Sequence, residues 1–243
     1  MTVRDAAVDS ALEKWRERLP EWSFAEPFLG PLHRERAAAW FALRDELTHA
    51  AWGGSDPRPG EAKLGWWAEE LQGWSRGVRR HPLGIVLQRE PAAWHALAAT
   101  LPSLLASRER AATEDEAFAK LEPFAEGVST IASTLFNGGE PAPTRSVIAA
   151  LLAKRVISEA DDMPPLQFVA KAGANAAPSA ASRLWAARLL ETWPLPFGGS
   201  VAGRLHASLV HERLRLFAKG SNPQDRPLPG WRALFTAWRA ARR

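Results

Sequence analysis

The chain has 243 residues, of which 46% are hydrophobic and 24% charged, a balance typical of a globular protein with one sizeable core. It contains no cysteine and no tyrosine, which excludes thiolate metal sites, iron–sulfur clusters and catalysis by either side chain. Its net charge of +4 and its pI of about 9.9 are compatible with binding to nucleic acid, to an anionic membrane or to a diphosphate ligand. They do not favour one of these partners over the others.

Alanine and leucine dominate the apolar residues, and no segment alternates with the period of two that marks a strand. Apolar residues recur instead with helical spacing, which predicts an all-α protein. The predicted helices are separated by proline and glycine, as in the loop predicted over 53–60. In chain order they cover 9–19, 33–52, 63 to just before Pro82, 83–89, 91–100, 114–136, 144–158, 179–192, 199–218 and 229–241.

The chain shows no solenoid repeat and no low-complexity tail. We therefore expect residues 1–243 to form a single domain, a compact antiparallel helical bundle. The chain also has no run of 18 apolar residues and no signal-peptide pattern after Met1, which predicts a cytoplasmic protein.

The most specific motif is Lys-Leu-Gly-Trp-Trp-Ala-Glu-Glu-Leu at 63–71, followed by His-Pro-Leu-Gly-Ile-Val-Leu at 81–87. Two further segments accompany it. The first, residues 34–47, is a predicted helix that begins with arginine and contains Trp-Phe, and the second, residues 205–214, begins with Leu-His-Ala-Ser-Leu and ends with Arg-Leu. Together these segments resemble the squalene/phytoene synthase-like proteins of the isoprenoid synthase superfamily, over about half of the chain. The resemblance implies a bundle of the isoprenoid (terpenoid) synthase type.

The resemblance also implies Mg²⁺, which would neutralise a departing diphosphate and is held by carboxylates from two facing helices. The first aspartate motif of the family falls on Thr48, His49 and Trp52, none of which is a good Mg²⁺ ligand. The second falls within 182–191, which offers one carboxylate and two arginines. The sequence therefore predicts that the ordinary metal motifs are degenerate.

Replacement carboxylates are nevertheless present, and Asp45, Glu46 and Glu70 are the catalytic candidates. Asp45 and Glu46 are adjacent on a helix and point about 100° apart, so at most one can face a shared site. We expect Glu69 or Glu70 to pair with an arginine such as Arg44 or Arg76 and the other to be exposed.

Asp161 and Asp162 are weaker metal candidates, because a solvated loop or a helix cap explains an acidic run before Pro164 better than a metal site does. The histidines lack zinc spacing, and no nucleophile elbow or phosphate loop occurs. Zinc enzymes and serine hydrolases are therefore not indicated.

The ligand-binding candidates are Arg36 and Arg44, whose guanidinium groups suit a diphosphate, together with Trp67 and His81 of the family-like motif. His81 is equally explained as a helix-terminating residue bonded to backbone groups. The twelve tryptophans indicate either ordinary core packing or the walls of an apolar tunnel for a prenyl chain.

Two functional hypotheses follow. The first is a protein that keeps the bundle without ordinary catalysis and binds a prenyl diphosphate or lipid, or assembles with an active prenyl synthase. The alternative is an active Mg²⁺-dependent prenyltransferase, catalysing head-to-head condensation of prenyl diphosphates at a diverged metal site. Aromatic and basic residues mix in the segment 231–239, as they do in helices that lie at a membrane surface. A further hypothesis is therefore that this segment contacts the inner face of the membrane. Nucleic acid is not an expected partner.

Overall fold

The long helices that periodicity predicts are present in the computed structural model, which describes residues 3–136, 140–158, 163–177, 179–221 and 227–242. The described residues form no strand, so the all-α prediction is confirmed. The helices are α1 Val3–Arg18, α2 Trp22–Ala25, α3 Pro31–Trp52, α4 Arg58–Trp74, α5 Gly84–Leu87, α6 Trp94–Ala99, α7 Leu101–Ala106, α8 Glu114–Leu135, α9 Thr144–Ser158, α10 Leu166–Ala172, α11 Ala180–Thr192, α12 Val201–Ala218 and α13 Gly230–Ala241, with a 3₁₀ turn at Glu26–Phe28.

Helix α4 differs most from its prediction at both ends. It begins at Arg58, inside the predicted loop, because Pro59 lies in its first turn, where a missing N–H costs no hydrogen bond. It ends at Trp74 rather than just before Pro82. Gly77 there adopts a φ of 80°, and the Val78 amide donates to the Gly73 carbonyl, an arrangement that closes a helix.

Four short helical segments were not predicted: α2, the 3₁₀ turn, α7 and α10. Each is seven residues or shorter, too short for apolar periodicity to be visible in the sequence. Helix α1 also begins earlier than predicted, at Val3. Longer helices start where the local chemistry indicates, as at α8, where the Thr113 hydroxyl accepts from the Glu116 amide 3.2 Å away.

The core is one cluster of buried side chains that extends from Val8 to Ala240. Tryptophan contributes its largest members, and Trp22, Trp40, Trp67, Trp94 and Trp185 are almost completely buried. Such a side chain buries more apolar area than any other, which stabilises the bundle strongly. Core packing therefore accounts for these five tryptophans.

Helix α3 lies centrally and packs on α1, α4, α5 and α7, while α12 packs on α9, α11, α13 and α2. Helix α8 joins the two groups, since it packs on α7 of the first group and on α9 of the second. The inner faces of α3, α9 and α12 enclose the site described below. Among the described residues, every helix is too short or too polar to traverse a bilayer.

Candidate functional site

A polar cluster lies inside the bundle where α3 faces α9 and α12. Phe41 and Thr48 lie two turns apart on α3, and Arg44 and Asp45 lie side by side on the turn between them. All four residues line the same cavity, so together they form one broad face of the helix. Across from them lie Lys154 of α9 and His206 of α12, which line the same cavity. Helix periodicity thus positions the α3 residues, whereas the packing of α9 and α12 completes the cluster.

Asp45 is the central carboxylate of this cluster. It is buried, and it forms close ion pairs with Lys154 and with Arg18 of α1. Burial tends to raise the pKa of Asp45, but the two cations outweigh it and the net shift is downward. Lys154 also donates to the Thr48 hydroxyl, 2.9 Å away. The carboxylate is therefore ionised at neutral pH and fully engaged by cations.

Arg44 is the least satisfied charged group of the cluster. Its Nε is buried and has no hydrogen-bond partner among the described residues. Burial lowers the pKa of Arg44 to about 10, and the nearby charge of Asp45 compensates only in part. The side chain keeps some accessible surface because it borders two cavities. A guanidinium held in this way is suited to accept an anion, since a phosphate oxygen would supply the missing acceptor.

His206 is a buried neutral imidazole next to Arg44. Its ring stacks on Phe41 with centroids 4.2 Å apart and planes inclined by 15°. Burial, and then the charges of Arg44 and Lys154, hold the pKa of His206 well below its usual range. The imidazole can therefore donate or accept a hydrogen bond at neutral pH without adding charge to the cluster.

Two cavities meet at this cluster, and we name them the polar chamber and the apolar chamber. Phe41, Arg44, Ala150 and His206 line both of them. The polar chamber measures about 40 Å³ and is lined in addition by Arg18, Asp45, Thr48, Lys154 and Arg213. The apolar chamber measures about 60 Å³ and is walled mainly by Trp40, Val128, Ala132, Phe136, Val147 and Phe197. A charged compartment thus adjoins an apolar one, with Arg44 between them.

The three catalytic candidates do not converge. Asp45 lines the polar chamber, but Glu46 turns away and binds the ammonium groups of Lys63, at 2.6 Å, and Lys14, at 3.4 Å. The expected divergence of these neighbouring carboxylates is therefore observed. Glu70 lies outside both chambers.

Glu70 organises the turn that follows α4. Its buried carboxylate accepts from the amides of Arg80 and His81, at 2.7 and 2.8 Å, and from Trp74 Nε1 at 2.8 Å. Arg80, rather than the expected Arg44 or Arg76, is its ion-pair partner, and Glu69 is largely exposed as expected. Glu70 of the family-like motif is thus engaged in holding a turn.

The other ligand-binding candidates also lie outside the two chambers. Arg36 donates to the Leu135 carbonyl at 2.7 Å and pairs with Glu90. Trp67 is buried beside His81, with ring centroids 4.6 Å apart. His81 Nδ1 accepts from the Leu83 amide at 3.2 Å, the backbone bond expected of a residue that closes a turn. Of the four predicted ligand-binding residues, the chambers include Arg44 alone.

The donor set of the described residues does not suit Mg²⁺. Thr48 donates its hydroxyl to the backbone carbonyls of its own helix, and Trp52 Nε1 donates to the Ser107 hydroxyl. Asp45 is the single carboxylate of the polar chamber in the described part of the chain, and two cations occupy it. Within the same ranges, no three acidic or histidine side chains gather in a metal-binding group. Asp161 and Asp162 lie outside the described residues.

The helix opposite Asp45 is not the one expected from the family pattern. Residues 182–191 belong to α11, and within the described ranges they line neither chamber. Helix α9 faces Asp45 instead and presents Lys154 there. Lys154, Arg18 and His206 are not predictable as site residues, since nothing in the local sequence pattern distinguishes them from exposed or core residues.

Comparison with known proteins adds no relative. No family model matches the chain, and a search of curated proteins finds no significant match.

Proposed function

We propose that the protein binds an amphiphilic anion, a prenyl diphosphate or a comparable lipid, between α3, α9 and α12. On this proposal it is a squalene/phytoene synthase-like protein of isoprenoid metabolism without ordinary catalysis. The supporting observation is Arg44, a half-buried cation whose buried Nε lacks a hydrogen-bond partner among the described residues and which lies between a charged chamber and an apolar one. An anionic headgroup bound to it would satisfy the guanidinium and direct an apolar tail into the neighbouring chamber.

The charge of the polar chamber supports an anionic ligand. Four of its lining residues are cationic at neutral pH, namely Arg18, Arg44, Lys154 and Arg213, against the single carboxylate of Asp45 in the described part of the chain. Two of these cations share Asp45, and Arg213 lies 3.6 Å from Glu21. The chamber therefore has an excess of positive charge in a region of low dielectric, where an anion is bound more strongly than in water.

The apolar chamber supports a ligand with a hydrocarbon tail. Aromatic and aliphatic side chains wall it, and Ser129, Ser133 and Ser146 contribute small hydroxyl groups. Its volume of about 60 Å³ holds only a few water molecules, so a prenyl chain requires lining side chains to move on binding. The stack of Phe41 on His206 forms the wall shared with the polar chamber and is the contact that such a movement would open.

The side chains described in the polar chamber favour binding of the anion without a metal ion. Mg²⁺ prefers several oxygen ligands, and the polar chamber offers Asp45 already paired with two cations. Metal-assisted ionisation of a diphosphate therefore receives no support from these side chains, and we assign no step to Mg²⁺. The arginine and lysine groups would instead neutralise the bound headgroup.

Calorimetric titration of the purified protein with farnesyl diphosphate, with and without Mg²⁺, tests the proposal. We expect binding that does not need Mg²⁺, and binding at least tenfold weaker in Arg44→Met. Arg110→Met is the matched control, because Arg110 is exposed on the connection between α7 and α8. Farnesol and inorganic diphosphate, titrated separately, report the contributions of the tail and of the headgroup.

Product analysis of the same samples separates the competing hypotheses. Mg²⁺-dependent release of diphosphate would contradict the non-catalytic proposal and support the diverged prenyltransferase. A protein that binds none of the three probes would overturn the ligand proposal. Assembly with a partner prenyl synthase would then be the hypothesis to test.

A further inference from the structure

Helix α13 carries an apolar face that no described part of the chain covers. Leu234 and Phe235 are adjacent, and Trp231 and Trp238 lie about one turn before and after them. Of these side chains, 73% of Trp231 and 53% of Phe235 are exposed. We call these four residues the α13 face. The opposite side of the helix packs its alanines into the core, so the helix is firmly attached to the bundle. A docked helix that turns four large apolar side chains outward exposes surface that a soluble monomer rarely leaves uncovered.

The α13 face continues onto the neighbouring 3₁₀ turn. Phe28 joins its four side chains around a shallow apolar hollow of about 570 Å³ that opens to solvent. Phe24 of α2 is also partly exposed and lies against Gly230 at the start of the helix. The exposed apolar surface is therefore a contiguous patch.

Positive charge borders this patch on its C-terminal side. The guanidinium carbon of Arg239 lies 5.9 Å from the Phe235 ring centroid, and that of Arg242 lies 4.3 Å from the Trp238 ring centroid. Helix α13 contains no acidic residue. Glu212 of α12 pairs with Arg232 of this helix and also with Arg215. The patch thus combines aromatic side chains with an excess of cations.

We propose that the α13 face binds the surface of an anionic phospholipid bilayer, with the helix lying in the plane of the interface. Tryptophan and phenylalanine would enter the boundary between headgroups and acyl chains, while Arg239 and Arg242 would contact lipid phosphates. A second copy of the chain is a poorer occupant. Even with Phe24, Phe28, Arg239 and Arg242 added to the four side chains, the patch falls well short of the roughly 20–30 residues that each partner contributes to a stable protein interface.

This inference is independent of the proposed ligand site, because none of the α13 residues lines either chamber among the described residues. Sedimentation of the full chain with phosphatidylcholine vesicles, with and without phosphatidylglycerol, tests it. We expect binding to the anionic vesicles, weakened by high salt. An arginine near an anionic surface contributes about fivefold in affinity, so Arg239→Gln combined with Arg242→Gln should weaken binding by about 25-fold.

An apolar variant tests the aromatic contribution. Trp231→Ser combined with Phe235→Ser should lower vesicle binding at least tenfold, and thermal melts would show that the fold persists. Val78→Ser is its control, since Val78 is equally apolar and 59% exposed on the turn after α4. Arg110→Gln is the control for the arginines. Neither control should change binding by more than about twofold.

Three results would overturn the proposal. The first is a wild-type protein that does not sediment with anionic vesicles, or that binds neutral and anionic vesicles equally. The second is undiminished binding by both double variants. The third is a concentration-dependent dimer, seen by analytical ultracentrifugation and abolished by the Trp231 and Phe235 changes, which would assign the face to a second copy.

Discussion

Replacement of Arg44 by methionine is expected to stabilise the fold while it weakens anion binding. Burial lowers the pKa of Arg44 to about 10, which corresponds to about 3 kcal/mol against the charged side chain. Methionine keeps most of the apolar stem and removes the buried Nε that lacks a partner among the described residues. Because solvent screens part of this cost, we expect the free energy of unfolding to rise by about 1–2 kcal/mol.

Urea denaturation of wild type and Arg44→Met at neutral pH measures this difference directly. The pH dependence provides a second check. The folded protein loses the Arg44 proton near pH 10, before the unfolded chain does, so the wild-type protein should gain stability relative to the variant as the pH rises above 10. The advantage of Arg44→Met should therefore shrink in that range, whatever other groups titrate in both proteins.

The opposite outcome would refute the reasoning. A loss of more than about 1 kcal/mol in Arg44→Met would mean that the guanidinium contributes stabilising contacts, and that it is not held at a cost for a ligand. Arg110→Met is the control, and its stability should change by less than about 0.5 kcal/mol. If Arg44→Met is more stable than wild type but binds farnesyl diphosphate equally well, the stability argument would hold and the proposed role of Arg44 in ligand binding would be wrong.

Three further predictions concern buried ionisable groups, each checked by urea denaturation. Glu70→Ala should lower the free energy of unfolding by about 2–3 kcal/mol, since it leaves the buried Trp74 indole and the part-buried amides of Arg80 and His81 without their acceptor, and Glu70→Gln should lower it less. The folded state depresses the pKa of His206, so between pH 7 and pH 5 only the unfolded chain gains a proton there, and the free energy of unfolding of the wild-type protein should fall. This fall should be smaller in His206→Gln, which lacks the imidazole, than in the control His95→Gln. Asp45→Asn should lower the free energy of unfolding by about 3 kcal/mol, because it leaves Lys154 and Arg18 without their carboxylate. For the same reason the variant should bind an anion more tightly, as measured by calorimetry. Weaker anion binding would contradict the assigned role of the polar chamber.

The sequence located the components of the site better than their arrangement. Asp45 was a candidate because it lies one turn before the degenerate aspartate motif, and Arg44 because a guanidinium suits a diphosphate. Arg36, Glu70 and His81 have equally suggestive chemistry, but the structure employs them in backbone contacts and ion pairs. Residue type alone does not separate these cases, since each outcome depends on which backbone groups or neighbours lie within hydrogen-bond distance.

Local chemistry by itself determined the all-helical fold and most limits of the long helices, except both ends of α4 and the start of α1. Helical periodicity, proline and glycine act over a few residues, so a single sequence reveals them. Only the tertiary structure decided that Lys154 meets Thr48, across 106 residues, and that His206 stacks on Phe41. The tertiary structure also decided which face of α13 is exposed. These contacts depend on how helices distant in the chain pack against one another, and the spacing of residues within one helix does not encode that packing.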